Sequence, residues 1–462
     1  MKIRSIHFIL SLLLISLSCN KPQENTPPNI ILINIDDMGW KDTGFQGSQF
    51  YETPNIDKIA DQGFIFTNGY AAASNCAPSR ACLMTGLWTS RHGVYTVSPS
   101  ARGKSEHRKL IPTKNTKTLP EEFITLPEIL NQNGYSTCHA GKWHLSDDPL
   151  TRGFDKNIGG GHNGHPKSYY PPYKNVDLEA ENGEYLTDLI MTQTIAFVRS
   201  AKQPFFLNYA PYAVHTPIHP VDSLKAKYEE KAPWNGQQNV DYATMVDNLD
   251  RNIGRLIKTL NELNFSENTL IIFTSDNGGL WGITDQQPLR AGKGSYYEGG
   301  IRVPFFFYWP EKIPSKTATD IPITNLDILP TILEAAGIKY DQKLDGESLW
   351  SAFTGDTTLQ NRPLFWHFPI YLEAYRKNNL QNRDTLFRTR PGSVVRSGDW
   401  KLHHYFEDNG IELYNLKADI SESQNLASQK PEKINELIKI LNSWRDNVNA
   451  PIPDQLNPDY KE

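Results

Sequence analysis

Short, almost unbroken apolar runs alternate along this chain with stretches whose apolar positions recur every three or four residues. The runs are Asn29–Ile35 (NIILINI), 204–209 (PFFLNY) and Thr269–Ser275 (TLIIFTS). Their length and β-branching predict strands buried on both faces, as in a parallel sheet. Helical spacing marks 54–62, Leu126–Gln132, 185–201 and 242–263. Strands alternating with helices predict an α/β domain: a large mixed, mostly parallel sheet sandwiched by helices. From about Leu344 the pattern changes. Short strand candidates at 363–368, 393–396, Trp400–Tyr405 and 412–416 are joined by turns such as Ser397-Gly398-Asp399 and Asp408-Asn409-Gly410. Such turns predict an antiparallel sheet. Pro431–Val448 follows as an amphipathic helix, completing a small α+β domain. At 462 residues the chain exceeds the roughly 250–300 that one core supports. We therefore expect a catalytic-size unit over 29–343 and a small C-terminal one over 344–462. Gly159-Gly160-Gly161 reads as a loop.

The N-terminus sets an expected compartment. Lys2 and Arg4 precede the apolar stretch 8–17 (FILSLLLISL), which is too short to span a bilayer. Ser18-Cys19 and a polar, Pro-containing segment follow. This resembles a bacterial lipobox, with Ser16 where Leu is usual. The resemblance implies a signal peptide over 1–18, lipidation of Cys19 and a tether over 19–28. The expectation is an exported bacterial lipoprotein in the periplasm or on the outer-membrane or cell surface, touching the membrane through its lipid anchor only. The other reading is an ordinary signal peptide with an incidental Cys. A formal charge of −5 argues against a nucleic-acid partner. Four cysteines, Cys19, Cys76, Cys82 and Cys138, are too few for a disulfide scaffold. Cys82 and Cys138 are left as either a pair or two free thiols.

Ligands of open α/β sheets bind beyond the carboxyl ends of the strands. The run Asn29–Ile35 ends in Asp36-Asp37, and Thr269–Ser275 ends in Asp276-Asn277 before two glycines. Either pair alone is better read as turn or cap chemistry. Together they form a set of hard oxygen ligands that suits Ca²⁺ or Mg²⁺, and the lack of His in the pairs disfavours zinc. Between them lies Cys76-Ala77-Pro78-Ser79-Arg80, where Pro78 predicts the first turn of a helix and places Cys76 just before it. Arg80, one turn on, can face the same spot.

The segment from Cys76 to Gly86 (Cys, any residue, Pro, Ser, Arg, four residues, Thr-Gly) resembles the signature of the formylglycine-dependent type I sulfatases, in the alkaline phosphatase superfamily. Gly134-Tyr135-Ser136-Thr137 and Gly141-Lys142-Trp143-His144 resemble its second signature. Thr53 to Asp57, Gly299 to Pro304, Leu413 to Leu416 and Asn425-Leu426 also fit, so the likeness runs from about Pro28 to Val448. It implies an alkaline-phosphatase-like fold and sulfate ester hydrolysis. It implies that a formylglycine-generating maturation enzyme oxidises Cys76 to an aldehyde, whose hydrate attacks sulfur beside a bound cation. It assigns Asp36, Asp37, Asp276 and Asn277, with residue 76 itself, to Ca²⁺, Mg²⁺ being the alternative. Arg80 would hold the hydrated aldehyde, and Lys142 and Lys293 would meet sulfate oxygens. His144 would orient or deprotonate the nucleophile, and His215 would protonate the leaving oxygen. Lys142, His215 and Lys293 are thus also the substrate contacts.

Substrate choice is expected to lie in two insertions, 98–120 with Arg102, Lys104, His107, Arg108 and Lys109, and 159–173 with His162, His165 and three tyrosines. A cationic and aromatic rim suits a sulfated oligo- or polysaccharide of algal or host origin, although such charges equally suit a solvated loop. Phosphoester hydrolysis on the same fold, and a non-catalytic binding lipoprotein, are the competing function classes.

Overall fold

The computed structural model describes residues 26–97, 99–374 and 381–461. The leader and lipidation site expected at 1–19 lie outside them, as does most of the tether. Eight strands form the main sheet: β1 Asn29–Ile35, β2 Phe64–Phe66, β3 Ser136–Gly141, β4 Lys156–Ile158, β5 Phe205–Ala210, β6 Thr269–Ser275, β7 Phe306–Tyr308 and β8 Thr317–Thr319, in spatial order β4-β3-β5-β1-β6-β7-β2-β8. The pairings β4-β3-β5-β1-β6 are all parallel. Only β7 runs against its neighbours β6 and β2.

Burial on both faces explains why β1 reads as a continuous apolar run. Ile31, Ile33 and Ile35 point into one core with Leu207, Phe273 and Leu249. Ile30 and Leu32 point into the other with Phe206, Ile272, Leu83 and Leu329. The first core is roofed by helices Leu186–Ser200 and Val240–Glu262; the Asn239 side chain caps the latter by accepting from Tyr242 N at 3.1 Å. The second is roofed by Cys76–Thr85, Leu126–Gln132 and Ile328–Ala335. The strand positions expected from the apolar runs agree to within a residue. β3 went unread because its sequence, STCHAG, mixes polar and small residues although Thr137 to Gly141 are buried. β2, β7 and β8, of three residues each, are too short to show a pattern.

The C-terminal region forms a four-stranded antiparallel sheet, β9 Leu364–Phe368, β10 Gly392–Ser397, β11 Trp400–Tyr405 and β12 Ile411–Asn415, in that spatial order. β10 and β11 pair from Ser397↔Trp400, leaving Gly398-Asp399 as the two-residue turn. The Pro431–Val448 helix packs Leu437, Leu441 and Trp444 against Val395, Leu402 and Leu413. Cys82 and Trp88, from the polypeptide of the main sheet, belong to this same core. The two units are therefore continuous at their interface.

Charge completes the join. Lys401 on β11 is fully buried and reaches Glu298 at 2.9 Å and Glu422 at 3.0 Å. Glu298 also accepts from Tyr70 Oη at 2.6 Å, and Tyr70 is contacted by Arg396. Removing one partner of a buried ion cluster leaves the others uncompensated. Lys401→Ala is therefore expected to lower unfolding free energy by about 3–5 kcal/mol, read by denaturant titration; an unchanged midpoint would contradict this role.

Candidate active site

The parallel register sets the site. Ile35 is level with Ser275, and Gly141 with Ala210, so the chain leaves β1, β3, β5 and β6 at one edge. Asp36 and Asp37 follow β1, Lys142 follows β3, His215 follows β5, and Asp276 and Asn277 follow β6. The exits are tied together: Asp276 N donates to Ile35 O at 3.0 Å, and Lys142 N to Ala210 O at 2.6 Å. Gly141 permits the last contact. Its φ is +106°, and a Cβ there would lie 2.1 Å from Ala210 O. Asp37 and His144 also have positive φ, 61° and 69°, a cost of order 1–3 kcal/mol each that surrounding contacts must hold in place.

The helix carrying Cys76 spans Cys76–Thr85, so Cys76 is its first residue rather than the residue before it, and Pro78 is the third. Proline is harmless there because the first four N–H groups have no partner within a helix. The first helical bond is Ser79 N to Asn75 O at 3.2 Å. Asn75 makes no side-chain cap, so the positive end of the helix lies open at Cys76. At the far end Gly86 accepts the left-handed turn that stops the helix, its N–H bonding Cys82 O at 2.8 Å.

Every residue expected at the site, save His144, is tied to the others by a hydrogen bond or an ion-pair contact. One ligand atom from each of Asp36, Asp37, Cys76 and His215 falls within a mutual 4.8 Å. Lys142 Nζ donates to both Asp36 oxygens at 2.8 and 2.9 Å. Lys293 Nζ donates to both Asp37 oxygens at 2.6 and 2.8 Å and lies 3.1 Å from Cys76 Sγ. Arg80 donates from Nε to Asp276 Oδ2 at 2.8 Å and from Nη1 to Lys142 O at 2.8 Å. Asp37 N donates to Asp276 Oδ1 at 3.2 Å, and Asn277 Nδ2 to Asp37 Oδ1 at 2.8 Å. His215 donates from Nδ1 to Thr216 O at 2.7 Å, which leaves Nε2 3.6 Å from Asp37 Oδ2. His144 stands beside the cluster, its buried Nδ1 without a hydrogen-bond partner. Cys82 and Cys138 are free, buried thiols.

The electrostatics follow from packing this many charges out of water. Burial pushes Asp36 up, with Lys142 offsetting only part of the effect. For Asp37 burial acts the same way, but Lys293 wins and holds it below the usual carboxylate range. Burial would raise the Cys76 thiol, yet Lys142 and Lys293 outweigh it and bring it down to about 6. Burial would lower His215, and Asp37 reverses that. His144 has no such anion; burial and Lys142 keep it well below the ordinary imidazole value.

The donor set fits a hard cation. Asp36, Asp37 and Asp276 supply carboxylate oxygens, and Asn277 Oδ1 is fully buried with no partner, an acceptor that costs free energy unless something binds it. Lys142 lies on Asp36, Lys293 on Asp37 and Arg80 on Asp276 here.

Sequence reasoning missed the reach of the C-terminal region into this site. Arg388, nearly buried, sends Nη1 to within 3.4 Å of Lys293 O, and Gln381 Oε1 accepts from Ala291 N at 3.0 Å. Nothing in the spacing distinguishes Arg388 from the nearby Arg383 and Arg390, which pair with Asp408 and with Asp384 and Glu407.

Carboxylates, two lysines and a cysteine gathered at the strand ends of an alkaline-phosphatase-like sheet define a hydrolase of anionic esters. The sulfatase family model matches residues 28–338, and a model described as N-sulphoglucosamine sulphohydrolase, C-terminal, matches 292–447. The chain belongs to the sulfatase family and is a sulfuric ester hydrolase. It is 32% identical to a sulfatase of Formosa agariphila, over 95% of this chain and 92% of that one. It is 30% identical to N-acetylgalactosamine-6-sulfatase of Canis lupus familiaris, over 87% and 76%. The crystal structure of Ps i-CgsB in complex with k-i-k-neocarrahexaose superposes with a TM-score of 0.74 at 33% identity, covering 90% of this chain and 92% of that one.

Calorimetric titration of the metal-free protein with divalent cations is expected to show one site. Asp276→Asn should weaken it by more than about ten-fold, since affinity follows the charge of the ligand set. Equal affinity in the variant would remove Asp276 from the cage.

Proposed function

We propose that this sulfatase cleaves sulfate esters of carbohydrates, using an aldehyde derived from Cys76 and a Ca²⁺ ion, with Mg²⁺ the alternative. The observation that carries the reading is the place of Cys76: first residue of an uncapped helix, 3.1 Å from Lys293 Nζ and 3.9 Å from Asp37 Oδ1. The names of the relatives support the carbohydrate part. The dog relative is named for N-acetylgalactosamine 6-sulfate, and Ps i-CgsB was crystallised with a neocarrahexaose.

Asp36, Asp37, Asp276 and Asn277 would hold the cation. When present, the cation and aldehyde would supply Lewis-acid polarisation and, on hydration, an oxygen nucleophile. The chain's own groups do the rest. Arg80 fixes Asp276 and the backbone at Lys142, so helix and strand end move as one. Lys142 spends two of its three N–H donors on Asp36 and Lys293 holds its positive charge 3.1 Å from Cys76 Sγ, so both can stabilise sulfuryl oxygens beside residue 76. Nδ1 of His215 is committed to Thr216 O. That leaves Nε2 as the atom that hands a proton to the leaving oxygen. His144 has its free Nδ1 to orient or deprotonate the nucleophile. The maturation enzyme that makes the aldehyde is the implied partner. Export as a lipoprotein anchored at Cys19 belongs to the same reading.

Mass spectrometry of the Cys76 peptide from the native source is expected to show a mass about 18 Da below that of the thiol, as sulfur is exchanged for oxygen with loss of hydrogen. Cys76→Ala should abolish turnover of 4-nitrophenyl sulfate. An intact thiol in the active native enzyme, or full activity of the variant, would overturn the assignment. Faster turnover of 4-nitrophenyl phosphate would favour phosphoester chemistry.

A further inference from the structure

The insertion 159–173 places one short segment over both active-site histidines. His144 N donates to Gly161 O at 2.9 Å. The His162 ring stands edge-on to His144, with centroids 6.2 Å apart and planes at 76°. Gly164 lies flat against the same ring, where a Cβ would fall 2.4 Å from His144 Cε1. The His165 ring stacks on His215, with centroids 5.7 Å apart and planes at 19°. The segment is itself pinned to the strand exit that carries His215. Tyr212 Oη donates to Gly159 O at 2.9 Å, and Tyr169 Oη to Tyr212 O at 2.5 Å and to His215 O at 2.9 Å. His165 is exposed on its outer side, whereas the His215 side chain is only 14% exposed.

We propose that His165 is a positioning residue for proton delivery to the leaving group: its ring holds the His215 imidazole at one angle and covers it from solvent. The proposal rests on the reading of His215 as the leaving-group acid. The hydrogen bond from Nδ1 to Thr216 O fixes one corner of the His215 ring but leaves its plane free to rock. A flat partner at stacking distance removes that freedom. The angle matters because the proton must travel along the line from Nε2 to the oxygen as the S–O bond breaks, and misalignment is costly. Gly164 serves the same segment, since any side chain there would displace the ring of His144. The two histidines of the insertion thus act through those of the sheet, and their contribution should scale with how much protonation the leaving oxygen needs.

Leaving-group dependence separates this role from a general loss of structure. 4-Nitrophenol leaves readily without a proton, and phenol does not. His165→Ala is expected to lower kcat/KM on phenyl sulfate by about ten-fold, and on 4-nitrophenyl sulfate by less than about two-fold, because general acid catalysis is needed only for the poorer leaving group. His165→Phe, which keeps a flat ring, should restore most of the loss. An equal loss on both esters would overturn the proposal. An arm independent of activity uses diethyl pyrocarbonate at neutral pH with peptide mass spectrometry. Modification of His215 should be several-fold faster in His165→Ala than in the unaltered enzyme, on the order of the exposure gained, and slow again in His165→Phe. Unchanged labelling of His215 overturns the proposal even if no ester is turned over. Failure of the unaltered enzyme on both esters would mean a site that admits only sugar sulfates, which leaves the function proposed above standing, and the labelling then decides His165 by itself.

Discussion

The structure is organised around a concentration of buried charge that the sheet forces into one place. Parallel strands deliver their carboxyl ends together, and here those ends carry Asp36, Asp37, Asp276 and Lys142. None of these is more than 2% exposed. Like charges at this depth are untenable alone. Lys142, Lys293 and Arg80 balance the three carboxylates, each touching at least one. Asn277 Oδ1 is left over as a buried acceptor. The balance is local and close to neutral. A substrate anion therefore meets lysines already held in line, and a cation meets carboxylates already converged. Preorganisation of this kind is where enzymes find most of their electrostatic advantage.

The same constraint explains what could be read from the sequence. Strands such as β1 and β6 announced themselves because burial on both faces demands apolar residues throughout. The polar residues that end those runs, at Asp36-Asp37 and Asp276-Asn277, were legible as a site only together, since either pair alone would pass for a turn. Cys76, Arg80, Lys142 and His144 came from motifs, and the fold brings them to the same edge. β3 hid because its residues, STCHAG, are polar or small and end in the glycine that the strand exit at Lys142 requires. Arg388 and the stacking of His165 on His215 could not be seen. They depend on how loops far apart in sequence lie over one another, which no local pattern encodes.

The C-terminal sheet is part of the catalytic architecture rather than an appendage. Its core takes in Cys82 of the Cys76–Thr85 helix and Trp88 just beyond it. Its buried Lys401 meets Glu298, which opens the short helix Glu298–Ile301 a few residues after Lys293. Arg388 and Gln381 then touch the backbone on either side of Gly292. Lys293 is thus set from two directions, by the main sheet through Asp37 and by the second unit through its carbonyl.

All ten residues of the helix Cys76–Thr85 are buried, and Cys76 itself is 2% exposed. Its face is closed off by the strand exits on one side and by the C-terminal core on the other. A macromolecular catalyst has no route to this sulfur once both units have closed over it. On the reading proposed above, conversion of Cys76 would fall to a polypeptide still open, and the maturity of each molecule would be decided by a race between collapse and chemistry during its synthesis.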